Sequence, residues 1–267
     1  MNILGMELTV PQLMVLFFSA FLGGFSKTGI IGLGIIITPL MASVFPAGRA
    51  LGFLLPVLFM ADITSIVRFN RQVPWKPLLR AIPWGIVGTV FGWLVARLIV
   101  RHYGDGSDRI LRLVIGSIMG LVVALGYYVS RNPSFAMGKS EEGLERSDEV
   151  RHWYAGVLGL FSGFAGMLTN SGGPVWATYF SSLDLEVKEV IGAGVWCLFI
   201  ITFIKMPFSV NLGFMNTQTL AVNLLLAPLT VLGMVTGSRV AGKYSKKAFA
   251  RIIRTLAACG AVYMIVG

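Results

Sequence analysis

One lysine has the surroundings expected of a ligand site. Lys27 lies in a glycine-rich segment between two apolar runs, where a cation needs water, a counter-charge or a ligand. Glycines let a backbone approach a ligand, and a helix end leaves N–H groups free, so the segment is suited to holding an anion. Alternatively, Lys27 reaches an aqueous interface and the glycines serve helix packing. The residues predicted to bind here are Gly24, Ser26, Lys27, Thr28 and Gly29.

A second polar segment, residues 169–174, interrupts apolar sequence in the other half of the chain. It carries no charge but is dense in hydrogen-bond donors, so the two segments together could enclose one small anion. The alternatives are helix capping for the polar residues and membrane-interface anchoring for the tryptophan that follows. The residues predicted to bind here are Thr169, Asn170, Ser171, Gly172 and Trp176.

Three further charges fall within or at the end of apolar runs. Asp62 is the only carboxylate in the middle of a long run, which makes it a candidate proton carrier or the ion-pair partner of Arg68 or Lys27. Arg68 and Lys205 occupy matched positions in the two halves, and they line an anion route or mark its ends. No catalytic residue, metal site or cofactor is predicted, because both histidines lie in loops and no two acids share a run.

These residues must be positioned by membrane helices. Of 267 residues, 55% are hydrophobic and 13% are charged, which excludes a disordered chain and disfavours a water-soluble enzyme. A helix needs about 20 apolar residues to cross a membrane. Six runs meet this length, at 50–68, 78–100, 109–130, 188–206, 217–239 and 248–266.

The two halves of the chain repeat each other. Each begins with two short apolar pieces, at 10–22 and 30–45 and at 153–164 and 175–180, which predicts a broken or re-entrant helix pair. Because each half then has three spans, the halves enter the membrane in opposite senses. The predicted fold is an all-α polytopic membrane protein of two inverted repeats of five helical elements, at 1–130 and 153–267. The recurring motifs are Gly24-Phe25 with Gly163-Phe164, Pro83-x4-Gly88-x3-Gly92 with Pro228-x4-Gly233-x3-Gly237, and Arg109-Ile110-Leu111-Arg112 with Arg251-Ile252-Ile253-Arg254.

Charge predicts the orientation of the chain. Residues 131–152 form a charged linker, and most of the 22 lysines and arginines lie on the linker's side of the predicted spans. The positive-inside rule makes that side cytoplasmic, so both termini are expected outside the cytoplasm of a bacterial inner membrane. The net charge of +10 therefore reports orientation, and no nucleic-acid partner is expected. Close-packing glycine pairs are compatible with a monomer or a homodimer.

The two glycine-rich breaks resemble those of the TauE/SafE family of membrane permeases, also called the sulfite exporter or TSUP family. The resemblance also rests on Thr38-Pro39-Leu40, on the duplicated architecture and on the length, and it covers essentially the whole chain. Family members usually have three consecutive glycines at each break, whereas Lys27 and Asn170 stand in these regions here. The breaks are Gly23-Gly24-Phe25-Ser26-Lys27-Thr28-Gly29-Ile30-Ile31-Gly32-Leu33-Gly34, and Phe161-Ser162-Gly163-Phe164-Ala165-Gly166 continuing to Ser171-Gly172-Gly173-Pro174.

The resemblance implies export or uptake of small sulfur anions, such as sulfite, sulfoacetate or taurine-like C2 sulfonates. A sulfonate has three acceptor oxygens and one negative charge, which suits a lysine surrounded by hydroxyl and amide donors. The expected function is secondary transport by alternating access, with Asp62 available for proton coupling. The alternatives are a gated anion channel with the same two segments as its filter and a membrane scaffold without transport activity.

Overall fold

The computed structural model describes residues 2–3, 6–28, 33–69, 73–131, 148–183, 185–240 and 246–266. These residues form ten α-helices, preceded by a short antiparallel hairpin of β1 (Asn2–Ile3) and β2 (Met6–Glu7). A 3₁₀ turn, Gly104–Gly106, joins the fourth and fifth helices. The helices are α1 (Val10–Thr28), α2 (Gly34–Ala42), α3 (Ala47–Phe69), α4 (Trp75–Tyr103), α5 (Ser107–Arg131), α6 (Asp148–Thr169), α7 (Gly172–Ser181), α8 (Val187–Asn211), α9 (Thr217–Val240) and α10 (Lys246–Val266).

Six of the helices in the described ranges are long and apolar enough to cross a membrane. Five of them coincide with predicted spans, and these are α3, α4, α5, α8 and α9. The remaining predicted span, 248–266, lies on α10, whose described apolar part is the shorter stretch Thr255–Val266. The sixth candidate is instead Val10–Lys27, so the chain is a multi-pass, all-helical membrane protein.

Helix α1 corrects the prediction of a short first piece ending at residue 22. The whole helix has 19 residues and ends at Thr28, which gives it a length of about 28 Å. The glycines lie inside the helix, where they allow a close contact with a neighbouring helix. A Cβ at Gly24 would overlap the carbonyl oxygen of Thr230 in α9. Lys27 therefore lies in the last turn of α1 rather than in a break, and residues 29–32 lie outside the described part.

The second helix pair has a break of only two residues. Helix α6 extends beyond the predicted end at residue 164, and α7 begins at Gly172 after Asn170 and Ser171. Asn170 has a φ of 57°, a left-handed conformation that asparagine tolerates better than most residues. Helix α7 packs back against α6, since Ser162 Oγ donates to the carbonyl oxygen of Gly172 at 2.7 Å. Helix α6 also takes in residues 148–152 of the predicted linker, and residues 132–147 lie outside the described part.

The main helix contacts join one half of the chain to the other. Helix α1 packs against α9, α4 against α6, α3 against α8 and α5 against α10. Two of these interfaces depend on glycine, because a Cβ at Gly163 would overlap the carbonyl oxygen of Gly85 as one at Gly24 would overlap that of Thr230. The core therefore lies between the halves, and the short helices α2 and α7 end inside it.

Candidate functional site

A cavity of about 150 Å³ lies between the two helix pairs. The end of α1, the start of α2, the break between α6 and α7, and one face of α8 form its walls. Polar side chains meet at this cavity from separate parts of the chain, which identifies it as the candidate site. Its polar lining residues are Ser26, Lys27, Ser162, Asn170, Ser171, Trp176, Thr202 and Lys205.

Lys27 is paired with a buried carboxylate. Its Nζ lies 2.5 Å from Asp62 Oδ1, so α1 and α3 are joined by an ion pair at the cavity wall. The Asp62 side chain is fully buried, whereas that of Lys27 is 14% exposed. Thr202 Oγ1 donates to the second carboxylate oxygen at 3.1 Å. Both oxygens of Asp62 therefore accept hydrogen bonds, as those of an ionised carboxylate do.

Lys205 is the more enclosed of the two cavity lysines, and its two hydrogen-bond acceptors in the described ranges are neutral. Only 3% of the residue is exposed. Its Nζ donates to the carbonyl oxygen of Gly166 at 2.5 Å and to Oδ1 of Asn170. Within the described ranges no carboxylate forms an ion pair with it. A buried ammonium without a counter-charge is costly, so the position favours an anion beside it.

Two N–H donors at the cavity have no partner in the part of the chain that the structure describes. They are Asn170 Nδ2 and Trp176 Nε1, both buried. Buried donors are nearly always satisfied by protein, water or ligand. Both residues line the cavity, so two of the residues around it each carry a buried, unsatisfied N–H donor.

The cavity hydroxyls are engaged within the protein, those of the three serines with backbone carbonyls and that of Thr202 with Asp62. Ser26 Oγ donates to the carbonyl oxygen of Gly23 at 2.8 Å, and Ser171 Oγ contacts that of Thr169 at 3.1 Å. These protons are not free for a ligand in this conformation. The N–H groups, rather than the hydroxyls, therefore supply the available donors.

Two residues predicted to bind lie behind the cavity wall. Gly24 packs on α9. Thr169 is fully buried, its Oγ1 donates to Ala165, and its carbonyl oxygen accepts from Thr38 Oγ1 at 2.8 Å. This last bond joins α2 to the break between α6 and α7. The side chains of Thr28 and Arg68 lie outside the described part, as does Gly29.

Sequence reasoning did not single out two polar residues of the site, Thr202 and Ser162. Thr202 precedes Lys205 by three residues, so both lie on the same face of α8. The sequence does contain a signal for Thr202, because a polar residue three positions from a lysine within an apolar run lies on the same helix face as that lysine. Ser162 had no such neighbour, and its role becomes visible only where α7 folds back on α6.

With both lysines protonated, the site carries an excess of one positive charge. Two ammonium groups, Lys27 and Lys205, face the cavity, and one carboxylate, Asp62, lies behind it. Preorganised N–H donors beside an unpaired cation are what a protein uses to hold a small oxyanion. The geometry therefore suits one anion between the two helix pairs.

Helices able to cross a membrane surround a cavity lined by two lysines, which is the arrangement of a polytopic membrane protein with an internal binding site. The chain belongs to the sulfite exporter TauE/SafE family, whose model matches residues 16–264. The match spans both halves and includes every cavity residue. No curated protein and no solved structure matches the chain significantly. Family membership makes this chain a transporter of the sulfite exporter type.

Proposed function

We propose that the protein is a secondary transporter that carries sulfite or a C2 organosulfonate across the bacterial inner membrane by alternating access. The observation that carries the proposal is Lys205, a buried lysine that donates to two neutral acceptors in the described ranges. It borders the same cavity as the unpartnered N–H groups of Asn170 and Trp176. Burying a charge without a counter-ion is costly, and an anion bound in the cavity would remove that cost.

Three donors are available for the three oxygens of a sulfonate or sulfite. An ammonium has three N–H groups, and Lys205 uses two on Gly166 and Asn170. Its third, together with Asn170 Nδ2 and Trp176 Nε1, can reach an anion in the cavity. Charge-assisted hydrogen bonds of this kind are the strong ones.

Alternating access would use the two halves as inverted repeats. Reciprocal glycine contacts support this arrangement: Gly24 meets Thr230, and Gly163 meets Gly85. In the sequence repeats Gly24 corresponds to Gly163 and Gly85 to Thr230, so exchanging the halves maps one contact onto the other. Rocking of one bundle against the other around a central site is how inverted-repeat transporters change access.

Asp62 is the proposed site of proton coupling. In the described conformation its negative charge is matched by Lys27. A proton on Asp62 would remove that charge and free the ammonium of Lys27 for substrate. The number of protons bound would then change with the number of anions, which is the requirement for coupling.

Both termini are proposed to face away from the cytoplasm. The support is the concentration of lysine and arginine on the linker's side of the spans. Alkaline phosphatase fused after residue 267 should be active, and green fluorescent protein fused at the same position should be dark. The reverse pair of results would invert the proposed orientation.

The transport proposal is tested with purified protein in liposomes. Sulfite, taurine, isethionate and sulfoacetate are offered under an imposed proton gradient, and accumulation above equilibrium is measured. We expect concentrative transport of at least one of them, with Lys205→Met liposomes as the inactive control. Equilibration without accumulation under every imposed gradient would favour a gated channel instead.

A further inference from the structure

We infer that Asp62 determines the charge of the substrate: by cancelling Lys27, it leaves a site that accepts one singly charged oxyanion and rejects a doubly charged one. This inference rests on the proposed function, because it assumes that the substrate occupies the cavity. It assigns Asp62 a role in specificity in addition to that of a proton carrier.

Asp62 acts through its charge rather than by touching substrate. Its side chain is fully buried and does not line the cavity, whereas Lys27 and Thr202 do. Both of these residues hold it, at 2.5 Å and 3.1 Å. The carboxylate is therefore a fixed part of the wall, positioned behind the cation that faces the cavity.

The charged groups of the packed helices give a simple balance. From α1, Lys27 faces Asp62, and from α8, Lys205 lies on the same side of the helix as Thr202. Helix α2 has no ionisable residue, α9 has only Arg239, near its exposed end, and on α5, which also contacts α3, Arg112 pairs with Asp108. Two positive charges and one negative charge leave an excess of one.

A second negative charge on the substrate would have no partner in this site. One unit charge at about 8 Å, with an effective dielectric constant of about 20, changes binding by roughly 30-fold. Shape cannot achieve this discrimination, because singly and doubly charged tetrahedral oxyanions can have nearly the same size. The charge balance set by Asp62 can distinguish singly from doubly charged oxyanions.

The same balance links charge selection to protons. A proton on Asp62 raises the excess to two, so a dianion with one proton is equivalent to a monoanion without one. Binding of a doubly charged anion should therefore strengthen in acid, while binding of a permanently singly charged anion should not gain in this way.

Methanesulfonate and sulfate form the matched probe pair. Both are tetrahedral, and a methyl group in the first replaces an oxygen and one negative charge of the second. Isothermal titration calorimetry of the full chain in detergent should show methanesulfonate binding at least roughly 30-fold tighter than sulfate. Ethanesulfonamide, which is uncharged, serves as the negative control.

The substitution Asp62→Asn removes the charge and nearly preserves the shape. It should bring sulfate affinity to that of methanesulfonate or above. A second variant, Lys27→Gln with Asp62→Asn, removes one charge of each sign and should restore the preference for methanesulfonate, whatever its absolute affinity.

The outcomes separate this inference from the proposed function. If the unmodified protein binds sulfate as tightly as methanesulfonate, or if Asp62→Asn keeps the original preference, the inference is overturned and anion binding stands. If the unmodified protein binds neither anion, the proposed function itself fails. If the double variant and Asp62→Asn show the same preference, charge balance is not the cause of the selection, and the inference is again overturned.

Discussion

Lys205 donates a hydrogen bond to the side-chain oxygen of Asn170, so a cation on α8 holds the residue that separates α6 from α7. The contact explains the orientation of the Asn170 amide. Its oxygen faces the lysine, which leaves Nδ2 buried without a partner in the described part of the chain. One contact thus both satisfies a lysine and leaves a buried donor on a residue that lines the cavity.

The substitution Asn170→Asp should abolish anion binding and stabilise the protein. It places a carboxylate where the amide oxygen meets Lys205, so the unpaired cation gains a counter-charge and the donor is lost. We expect a higher thermal unfolding midpoint in detergent and no detectable heat of anion binding. A lower midpoint together with retained binding would show that Lys205 already has a counter-charge.

The substitution Trp176→Phe should weaken anion binding by about tenfold or more, because a hydrogen bond to a charged group is worth about 1.5–3 kcal/mol. Trp196→Phe is the matched control. It also removes a buried indole N–H without a partner in the described residues, but Trp196 does not line the cavity. Calorimetric affinity should therefore fall in the first variant only, and equal losses in both would argue against a contact between Trp176 and substrate.

Removing Lys27 alone should destabilise the fold. Lys27→Met leaves Asp62 buried and uncompensated, which costs about 3–5 kcal/mol when a buried pair is broken. The double variant Lys27→Met with Asp62→Leu should recover most of this loss, because both charges are gone. Thermal unfolding in detergent measures the difference, and additive losses in the double variant would exclude coupling between the two residues.

The substitution Gly163→Ala should lower stability by about 1–3 kcal/mol, the usual cost of overpacking. Its new Cβ would meet the carbonyl oxygen of Gly85 and the nitrogen of Thr89, which must move apart. Gly120→Ala is the control, since no atom lies within 4 Å of a Cβ there. The unfolding midpoint of the control should be unchanged or raised, and similar midpoints for both variants would contradict close packing at Gly163.

Much of the fold follows from apolar run length, and five of the six candidate spans are readable in this way. The end of α1 cannot be read from apolar run length. Gly23 and Gly24 have the composition of a break, yet they sit inside a helix because α9 and α3 pack against them. Glycine serves both purposes, and only the neighbouring helix distinguishes them.

For the site, too, the local sequence shows which residues are unusual but not which residues they contact. Lys27 and Asn170 stand out because polar residues interrupt apolar sequence. Lys205 was identified as charged within a span, but its partner lies 35 residues away in sequence. Which lysine remains without a carboxylate is decided by the contact between α1 and α3, which no local pattern contains.

The hydrogen bond from Thr38 to the carbonyl oxygen of Thr169 joins α2, in the first half of the chain, to the break between α6 and α7 in the second half. The break it reaches has only two residues of slack, so displacing that segment must either rupture the bond or drag α2 along. In the proposed transport cycle the two breaks would serve as gates, and this bond would make the position of one depend on the position of the other. Such a constraint works against a continuous aqueous path through the protein, which is the property that separates a carrier from a leak.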